Sequence, residues 1–362
     1  MAGPQAAAAP GGLGEASLTE DMVGLSPYGG DPVLRRPRRR SGLWLLGSYL
    51  ITVFLLITLN FFLPRALPGD PISELIDPGA PAYVHDDALR AKLEAYYGLD
   101  RPLPVQYASY LADLARGDLG VSIRYNAPVA RLVKERVPWT VLLIASGMTV
   151  AIVVGWTSGV HSGWRRGRPV DRGLLGLFLA ANSFPVFFLG SLALFVFSVK
   201  LGWFPLAGAR TPFAESMSPL GRALDIAHHL ALPATILGLN FATSQYLVMR
   251  ATMVGELGSD YLVLGRAKGL QERRLKYRHA ARNALLPVVT LTAIHVVFAV
   301  TAAILVETVF AYQGIGRLLF DAVSFRDYPT LQACFLVLTL GAVTVNFLAD
   351  VLYAKLDPRT AG

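Results

Sequence analysis

The chain has 362 residues, of which 53% are hydrophobic and only 16% are charged. This composition excludes an ordinary soluble globular domain, in which roughly a quarter of the residues are charged, and makes a membrane protein the expected class. The formal net charge of +8 requires no nucleic-acid partner, because the basic residues collect in a few short connections between apolar runs.

Six runs lack Asp, Glu, Lys and Arg, and each reaches the roughly 20 residues that a helix needs to cross the hydrocarbon core of a bilayer. They are residues 41–64, 137–164, 173–199, 226–249, 283–306 and 328–349. Helices of soluble proteins are rarely apolar over such a length. The pattern therefore predicts an all-α membrane protein with six transmembrane helices, and Gly147 and Gly155 in the second run predict close helix packing.

Lys and Arg concentrate in alternate connections, which predicts the orientation of the helices. Arginines precede the first run, follow the second and fill the connection between the fourth and fifth. These connections are predicted to be cytoplasmic, with both termini inside. The predicted organisation is a disordered cytoplasmic tail (1–40), the first transmembrane helix (41–64), an extracytoplasmic subdomain (65–136), a core with five transmembrane helices (137–354) and a C-terminal cytoplasmic tail (355–362).

The predicted extracytoplasmic subdomain contains two amphipathic patterns, at residues 87–97 and 105–116, each followed by a glycine that can end a helix. Its acids, including Asp100 and Asp118, are first interpreted as cap or turn residues. The single cysteine, Cys334, lies in the sixth run and predicts a core residue, so neither a disulfide nor a metal site is expected. No catalytic residue is predicted.

Polar residues interrupt two of the apolar runs. Asn182 and Ser183 lie near the middle of the third run, and Asn240 and Ser244 lie in the fourth. Polar groups at membrane depth are costly unless they face protein or a water-filled cavity. These four residues are therefore candidates for a substrate path, and interhelical hydrogen bonding remains an equal alternative.

The fifth run is followed by Glu307. At the helical rise this residue lies about 30 Å from Pro287, which predicts a position at the outer interface, so that it need not be a buried ion. Away from their ends, the six runs contain no carboxylate that could couple transport to an ion. This pattern argues against a self-contained secondary transporter.

The connection between the fourth and fifth runs, residues 250–287, is polar and strongly basic. Ser259 or Asp260 is predicted to cap a short helix that ends at Gly269. A second helix is predicted from Gln271, in which Glu272 and Lys276 have the spacing and order of a favourable ion pair. Two interpretations are open: an amphipathic segment on an anionic membrane surface, or an element that docks into a soluble partner.

The motifs of this connection carry a resemblance. The runs RAKGL (266–270), ERR (272–274), RHA (278–280) and RNALLP (282–287) are similar to the cytoplasmic coupling loop of permease subunits of ABC importers, in the dipeptide, oligopeptide and nickel branch. PGDP at 68–71, YGLD at 97–100, GDLG at 117–120, ETVF at 307–310 and GIGRL at 314–318 resemble the same branch. Val263 and Gly265 depart from the general importer pattern, which often has glutamate and alanine there.

The resemblance implies a type I ABC importer permease fold in the plasma membrane of a prokaryote, with no enzymatic activity of its own. It implies four kinds of protein around the transport path: this chain, a second homologous permease subunit, two ATPase subunits and an extracytoplasmic solute-binding protein, with lipid around them. Because the chain has no GxxxxGK[ST] motif, ATP and Mg are expected on the ATPase subunits. The implied substrates are short peptides, with nickel chelates or glutathione as alternatives; a non-transporting anchor subunit is the other alternative.

The resemblance also implies roles for particular residues. The residues expected to meet the ATPases are Asp260, Tyr261, Leu264, Arg266, Ala267, Lys268, Gly269 and Leu270. The residues expected to meet the binding protein are Asp100, Asp118, Arg317 and Asp321.

Overall fold

The computed structural model describes residues 42–66, 91 and 100–356, and this part is built of helices with one isolated β-bridge, between Val121 and Pro128. Met1–Trp44 forms a unit separate from Leu45–Gly362, and only the start of the first helix is described in it. The helices are α1 (Gly42–Ala66), α2 (Leu103–Ala115), α3 (Val129–Trp164), α4 (Pro169–Asn182), α5 (Val186–Ala193, continued by a π-helix, Leu194–Lys200), α6 (Pro219–Glu256), α7 (Asp260–Ala267), α8 (Leu285–Val309), α9 (Ile315–Ser324) and α10 (Tyr328–Leu356).

Three helices of the described part are by themselves long and apolar enough to cross a membrane: α3, α8 and residues Tyr328–Leu348 of α10. Helix α4 and the α5 segment are long and apolar enough only when taken together, and they are bent by 99°, as in a broken span or a re-entrant loop. Helices α1 and α6 occupy the predicted first and fourth runs, but α6 is less apolar because Asn240, Ser244 and Gln245 interrupt it. The all-α membrane class is confirmed, and the number of six spans stays a prediction.

The predicted boundaries agree with the structure in part. The second amphipathic pattern is helix α2, as expected. Helix α3 begins at Val129, before the predicted run, because its first two turns are amphipathic and bury Val129, Leu132 and Val133. Residues 1–40, 357–362 and most of 87–97 lie outside the described residues.

Helices α3 and α6 pack along a row of glycines, as Gly147 and Gly155 predicted. A Cβ on Gly155 would stand 2.5 Å from the Cβ of Gln245, and one on Gly159 would stand 2.9 Å from the backbone oxygen of Tyr246. Gly147 meets Leu237 and Gly163 meets Met253, so the two helices run in the same direction. The chain must therefore return along the bundle between them, and residues 165–218 make that return.

Alanine at Gly159 should weaken this packing. Its Cβ would press on backbone atoms of α6, which cannot move aside as a side-chain end can, so we expect the free energy of unfolding to fall by about 1 to 3 kcal/mol. Unfolding of the purified protein in detergent would measure the change. Gly255→Ala is the matched control, because nothing lies within 4 Å of that Cβ. Equal stability of the two variants would contradict the packing argument.

Candidate functional site

Helix α7 has the predicted bounds. Ser259 precedes it in an extended conformation, although its hydroxyl makes no capping hydrogen bond. At the other end Gly269 adopts a left-handed conformation with φ of 73°. Its N–H donates to the Arg266 oxygen at 2.9 Å, and the Leu270 N–H donates to the Gly265 oxygen at 3.1 Å. This pair of hydrogen bonds is the Schellman ending that glycine favours.

One face of α7 holds the helix to the rest of the protein. Leu262 is completely buried and packs in a cluster with Met249 and Met253 of α6, Val160 of α3 and Leu275. We call this group the anchor cluster. A Cβ on Gly265 would stand 2.6 Å from Leu275, so the glycine lets the following segment come close. Because of these contacts, a displacement of α7 would be transmitted to the ends of α3 and α6.

The other face of α7 is exposed and partly apolar. Val263 and Leu264 are 58% and 55% exposed, and Asp260 and Ala267 are also exposed. These four residues follow the i, i+3, i+4, i+7 spacing of a single helix face, which we call the coupling surface. Two large apolar side chains exposed on so short a polar helix are typical of a docking site.

The other residues predicted to meet ATPases divide into two groups. Arg266, Lys268 and Gly269 are exposed beside the coupling surface. Tyr261 instead holds the loop internally, since its hydroxyl donates to the Glu256 carboxylate. Burial, followed by this hydrogen bond, raises the pKa of Tyr261 above its ordinary value. Leu270 is partly buried against the anchor cluster.

The predicted ion pair between Glu272 and Lys276 is wrong. Glu272 pairs with Arg266 at 3.1 Å, while Lys276 is buried with its Nζ 3.2 Å from Nδ1 of His161. The reason is local geometry: Leu275–Ala280 is a π-helix, in which residues four apart do not align as they do in an α-helix.

A buried ion pair joins the ends of three helices near this loop. Arg250 of α6 donates two hydrogen bonds to Asp171 of α4, at 2.7 and 2.8 Å. Ser162 donates to the same carboxylate at 2.5 Å and lies 2.8 Å from the Tyr246 hydroxyl. The Gly167 N–H donates to it at 2.8 Å. Sequence reasoning missed Asp171, although a lone acid within a run of arginines is a signal of an internal partner.

At the far end of α3 Glu307 is buried, which the sequence had not required. Its side chain is completely buried and accepts hydrogen bonds from the Thr140 hydroxyl at 2.6 Å and the Arg317 N–H at 3.0 Å. Thr140 in turn accepts from the Ile315 N–H at 2.8 Å. The helical rise alone could not show that the chain after α8 folds back over Glu307. The turn that begins at Gly314 covers the carboxylate.

Asp327 is also buried, and like Asp171 it was not singled out from the sequence. It precedes α10 and accepts from the Thr330 hydroxyl at 2.8 Å and from the backbone N–H groups of Ile123 and Arg124, at 3.2 and 3.3 Å. The Ser122 hydroxyl also donates to it. Asp327 thus caps α10 and ties the 122–124 loop to it. An aspartate shortly before a proline at a helix start was the available signal.

Two of the four residues predicted to meet a binding protein lie together. Arg317 and Asp321 form an ion pair at 3.1 Å on α9, and the Tyr125 hydroxyl donates to Asp321 at 3.2 Å. Asp118 accepts from the Gly120 N–H at 2.9 Å, the turn role that the sequence first suggested. Asp100 is exposed.

Comparison with known proteins identifies the class of molecule to which these features belong. Residues 147–362, which include α6, the anchor cluster and the coupling surface, match the family model described as binding-protein-dependent transport system inner membrane component. The chain belongs to this family. The resemblance of its coupling loop to ABC importer permeases of the dipeptide and oligopeptide branch is confirmed.

Three relatives cover nearly the whole permease. A Brucella suis protein named as a peptide permease is 41% identical over 320 residues, which are 88% of this chain and 95% of the relative. The oligopeptide transport system permease protein AppB of Bacillus subtilis is 35% identical over 85% of this chain and 95% of its own. The glutathione transport system permease protein GsiC of Escherichia coli is 36% identical, covering 85% and 94%.

The four substrate-path candidates of the permease lie in two places. Asn182 ends α4 and Ser183 begins its break from α5, and both are exposed. Asn240 and Ser244 are half-buried on α6. Their neighbours form the buried contacts: Gln245 donates to Thr292 at 2.9 Å and Thr243 to the Phe178 oxygen at 3.3 Å. Ala242, Tyr246 and Met249 are buried on the same face of α6 as Gln245.

Proposed function

We propose that this permease imports short peptides across the plasma membrane, using ATP hydrolysed by separate ATPase subunits. In this proposal a second homologous permease completes the transport path, and an extracytoplasmic binding protein delivers the peptide. ATP and Mg are held by the partner chains. The loop that carries α7 lies in the cytoplasm, as do both termini, and the chain crosses the membrane six times.

The observation that carries the proposal is the division of α7 into two faces. Its exposed apolar face, with Val263 and Leu264, offers a surface to a soluble partner. Its buried face connects that partner through Leu262 to the ends of α3 and α6. Closure of two ATPases around ATP would therefore move α3 and α6, and switch a pair of permeases between inward and outward openings.

The substrate class rests on the relatives. Those described above are named for peptides, oligopeptides and glutathione, which all contain peptide-type amide and carboxylate groups. Asn182, Ser183, Asn240 and Ser244 offer amide and hydroxyl groups and no charge, which suits weak contact with a passing peptide. Selectivity is then expected to reside in the binding protein.

Arginine at Leu264 should separate the ATPases from the permease. A charge in the middle of the apolar part of the coupling surface would be desolvated on docking, so we expect at least about a tenfold loss of ATPase binding and of peptide uptake. Affinity purification with the ATPases and uptake of a labelled dipeptide into vesicles would measure both.

The matched control is Leu220→Arg, which changes a 71% exposed leucine on the first turn of α6. It should retain ATPase binding. If Leu264→Arg binds the ATPases and transports normally, α7 is not the coupling element. If the wild type binds ATPases whose hydrolysis moves no peptide inward, the chain is an anchor or an exporter instead.

A further inference from the structure

The segment after α7 carries a basic cavity that the coupling role does not use. Gln271, Arg273, Arg274, Tyr277 and Arg278 line a shallow cavity of about 350 Å³. All five side chains are exposed. The cavity is open to solvent, and its lining combines guanidinium groups with an amide and a phenol ring. Each of these groups can donate hydrogen bonds to an oxyanion.

The three arginines of this cavity form no ion pair with a carboxylate in the described part of the chain. The one acid among them, Glu272, is engaged by Arg266. Three guanidinium groups around one cavity repel each other unless an anion lies between them. A group with several negatively charged oxygens fits best, because guanidinium binds phosphate and carboxylate through paired hydrogen bonds.

The same segment changes from basic to apolar as it enters α8. Arg274, Arg278 and Arg282 lie along it and are exposed. Further along the chain, Leu286 is 76% exposed and Val289 is 46% exposed. An exposed segment that begins with arginines and continues with aliphatic side chains matches a bilayer interface, where headgroups lie above acyl chains.

We propose that this cavity binds the phosphate of an anionic phospholipid of the cytoplasmic leaflet, whose acyl chains lie along Leu286 and Val289. The inference uses the cytoplasmic placement of this loop from the proposed function but not the coupling of α7 to ATPases. The exposed Leu286 and Val289 next to the cavity favour a lipid over an acidic protein surface, because the acyl chains of a lipid would cover these apolar side chains. The lipid would hold the loop at the membrane surface while the coupling surface stays free.

The test counts bound lipid on the permease alone. The purified chain is placed in nanodiscs of phosphatidylcholine with a minor fraction of phosphatidylglycerol, and native mass spectrometry measures the retained phosphatidylglycerol. The variant R273Q/R274Q/R278Q should lose affinity by roughly fivefold per arginine and about 100-fold in all. The control R165Q/R166Q/R168Q removes three exposed arginines from the α3–α4 turn, and should keep its affinity within about twofold.

Two further measurements distinguish the sources of the anion. Leu286→Gln should also weaken phosphatidylglycerol binding, whereas a site for free phosphate would not respond to it. Inorganic phosphate should not displace the lipid at equal concentration. An equal loss in both triple variants, an unchanged lipid affinity of the cavity variant, or displacement by inorganic phosphate would each overturn the proposal. No ATPase is present when the bound lipid is counted. Failure of the lipid proposal can therefore be distinguished from failure of the proposed transport function.

Discussion

Replacing Arg250 by methionine should lower the free energy of unfolding by about 3 to 5 kcal/mol, because it leaves a buried carboxylate without its cation. The side chain of Asp171 is only 3% exposed, and without Arg250 it keeps just the hydrogen bonds from Ser162 and Gly167. Neither donor supplies a full positive charge. Thermal or denaturant unfolding of the purified permease in detergent would measure the loss.

Replacing Asp171 instead of Arg250 should lower the free energy of unfolding by less. Arg250 is 24% exposed, so after Asp171→Ala its guanidinium can turn toward water or lipid phosphate. Removing both charges with Asp171→Asn and Arg250→Met should recover part of the stability, since no unpaired charge remains. Arg172→Met is the matched control, because that neighbouring arginine is exposed. An Arg250 variant as stable as this control would show that the ion pair contributes nothing.

Alanine at Gly314 should detach the turn that covers Glu307. Its Cβ would stand 2.2 Å from the carboxylate, so Glu307 must move and give up the hydrogen bonds from Thr140 and Arg317. Leaving a buried hydrogen-bonding group unsatisfied costs about 1 to 3 kcal/mol, and with two such bonds lost we expect a loss of about 3 kcal/mol or more. Unfolding measurements, with hydrogen exchange of α9 as a local readout, would detect it.

Two comparisons make this result specific. Gly176→Ala should be neutral, because nothing lies within 4 Å of a Cβ at that position of α4. Glu307→Gln should lose stability without any steric change, since its amide nitrogen would face a donor, either the Thr140 hydroxyl or the Arg317 N–H. We also expect weaker stimulation of ATP hydrolysis by the binding protein, because α9 carries Arg317 and Asp321. Unaltered exchange of α9 in Gly314→Ala would contradict the argument.

The sequence was sufficient for features that depend on near neighbours in the chain. The bounds of α7 follow from a polar start and from Gly269, and Gly147 and Gly155 predicted that α3 packs closely on another helix, without showing which one. Family motifs and the glycine stop agreed on the same short helix. Each of these predictions needs only the preferences of a few consecutive residues, which fold in the same way wherever the segment lies.

The buried polar contacts depended on the fold. Thr140 and Glu307 are 167 residues apart, and no local pattern shows that the turn at Gly314 closes over them. Asp171 was hidden among arginines, and its partner Arg250 lies 79 residues away. The ion pair of Lys276 with Glu272 was mispredicted for a different reason. A π-helix changes the residue spacing at which charges pair, and the sequence shows no sign of it. Gln245, and not the neighbouring Ser244, makes the hydrogen bond to Thr292, because one residue along a helix changes the face by about 100°.

The glycine row between α3 and α6 limits how this permease can move. The glycines leave no space for even a Cβ between the two helices, so we expect α3 and α6 to move together as one rigid unit. Helix α3 has 36 residues and is about 54 Å long. A rotation of about 10° around one end would carry the other end through about 9 Å. If α7 is the coupling element, a small displacement of α7 would be enough to open or close a gap of molecular width at the opposite side of the bilayer.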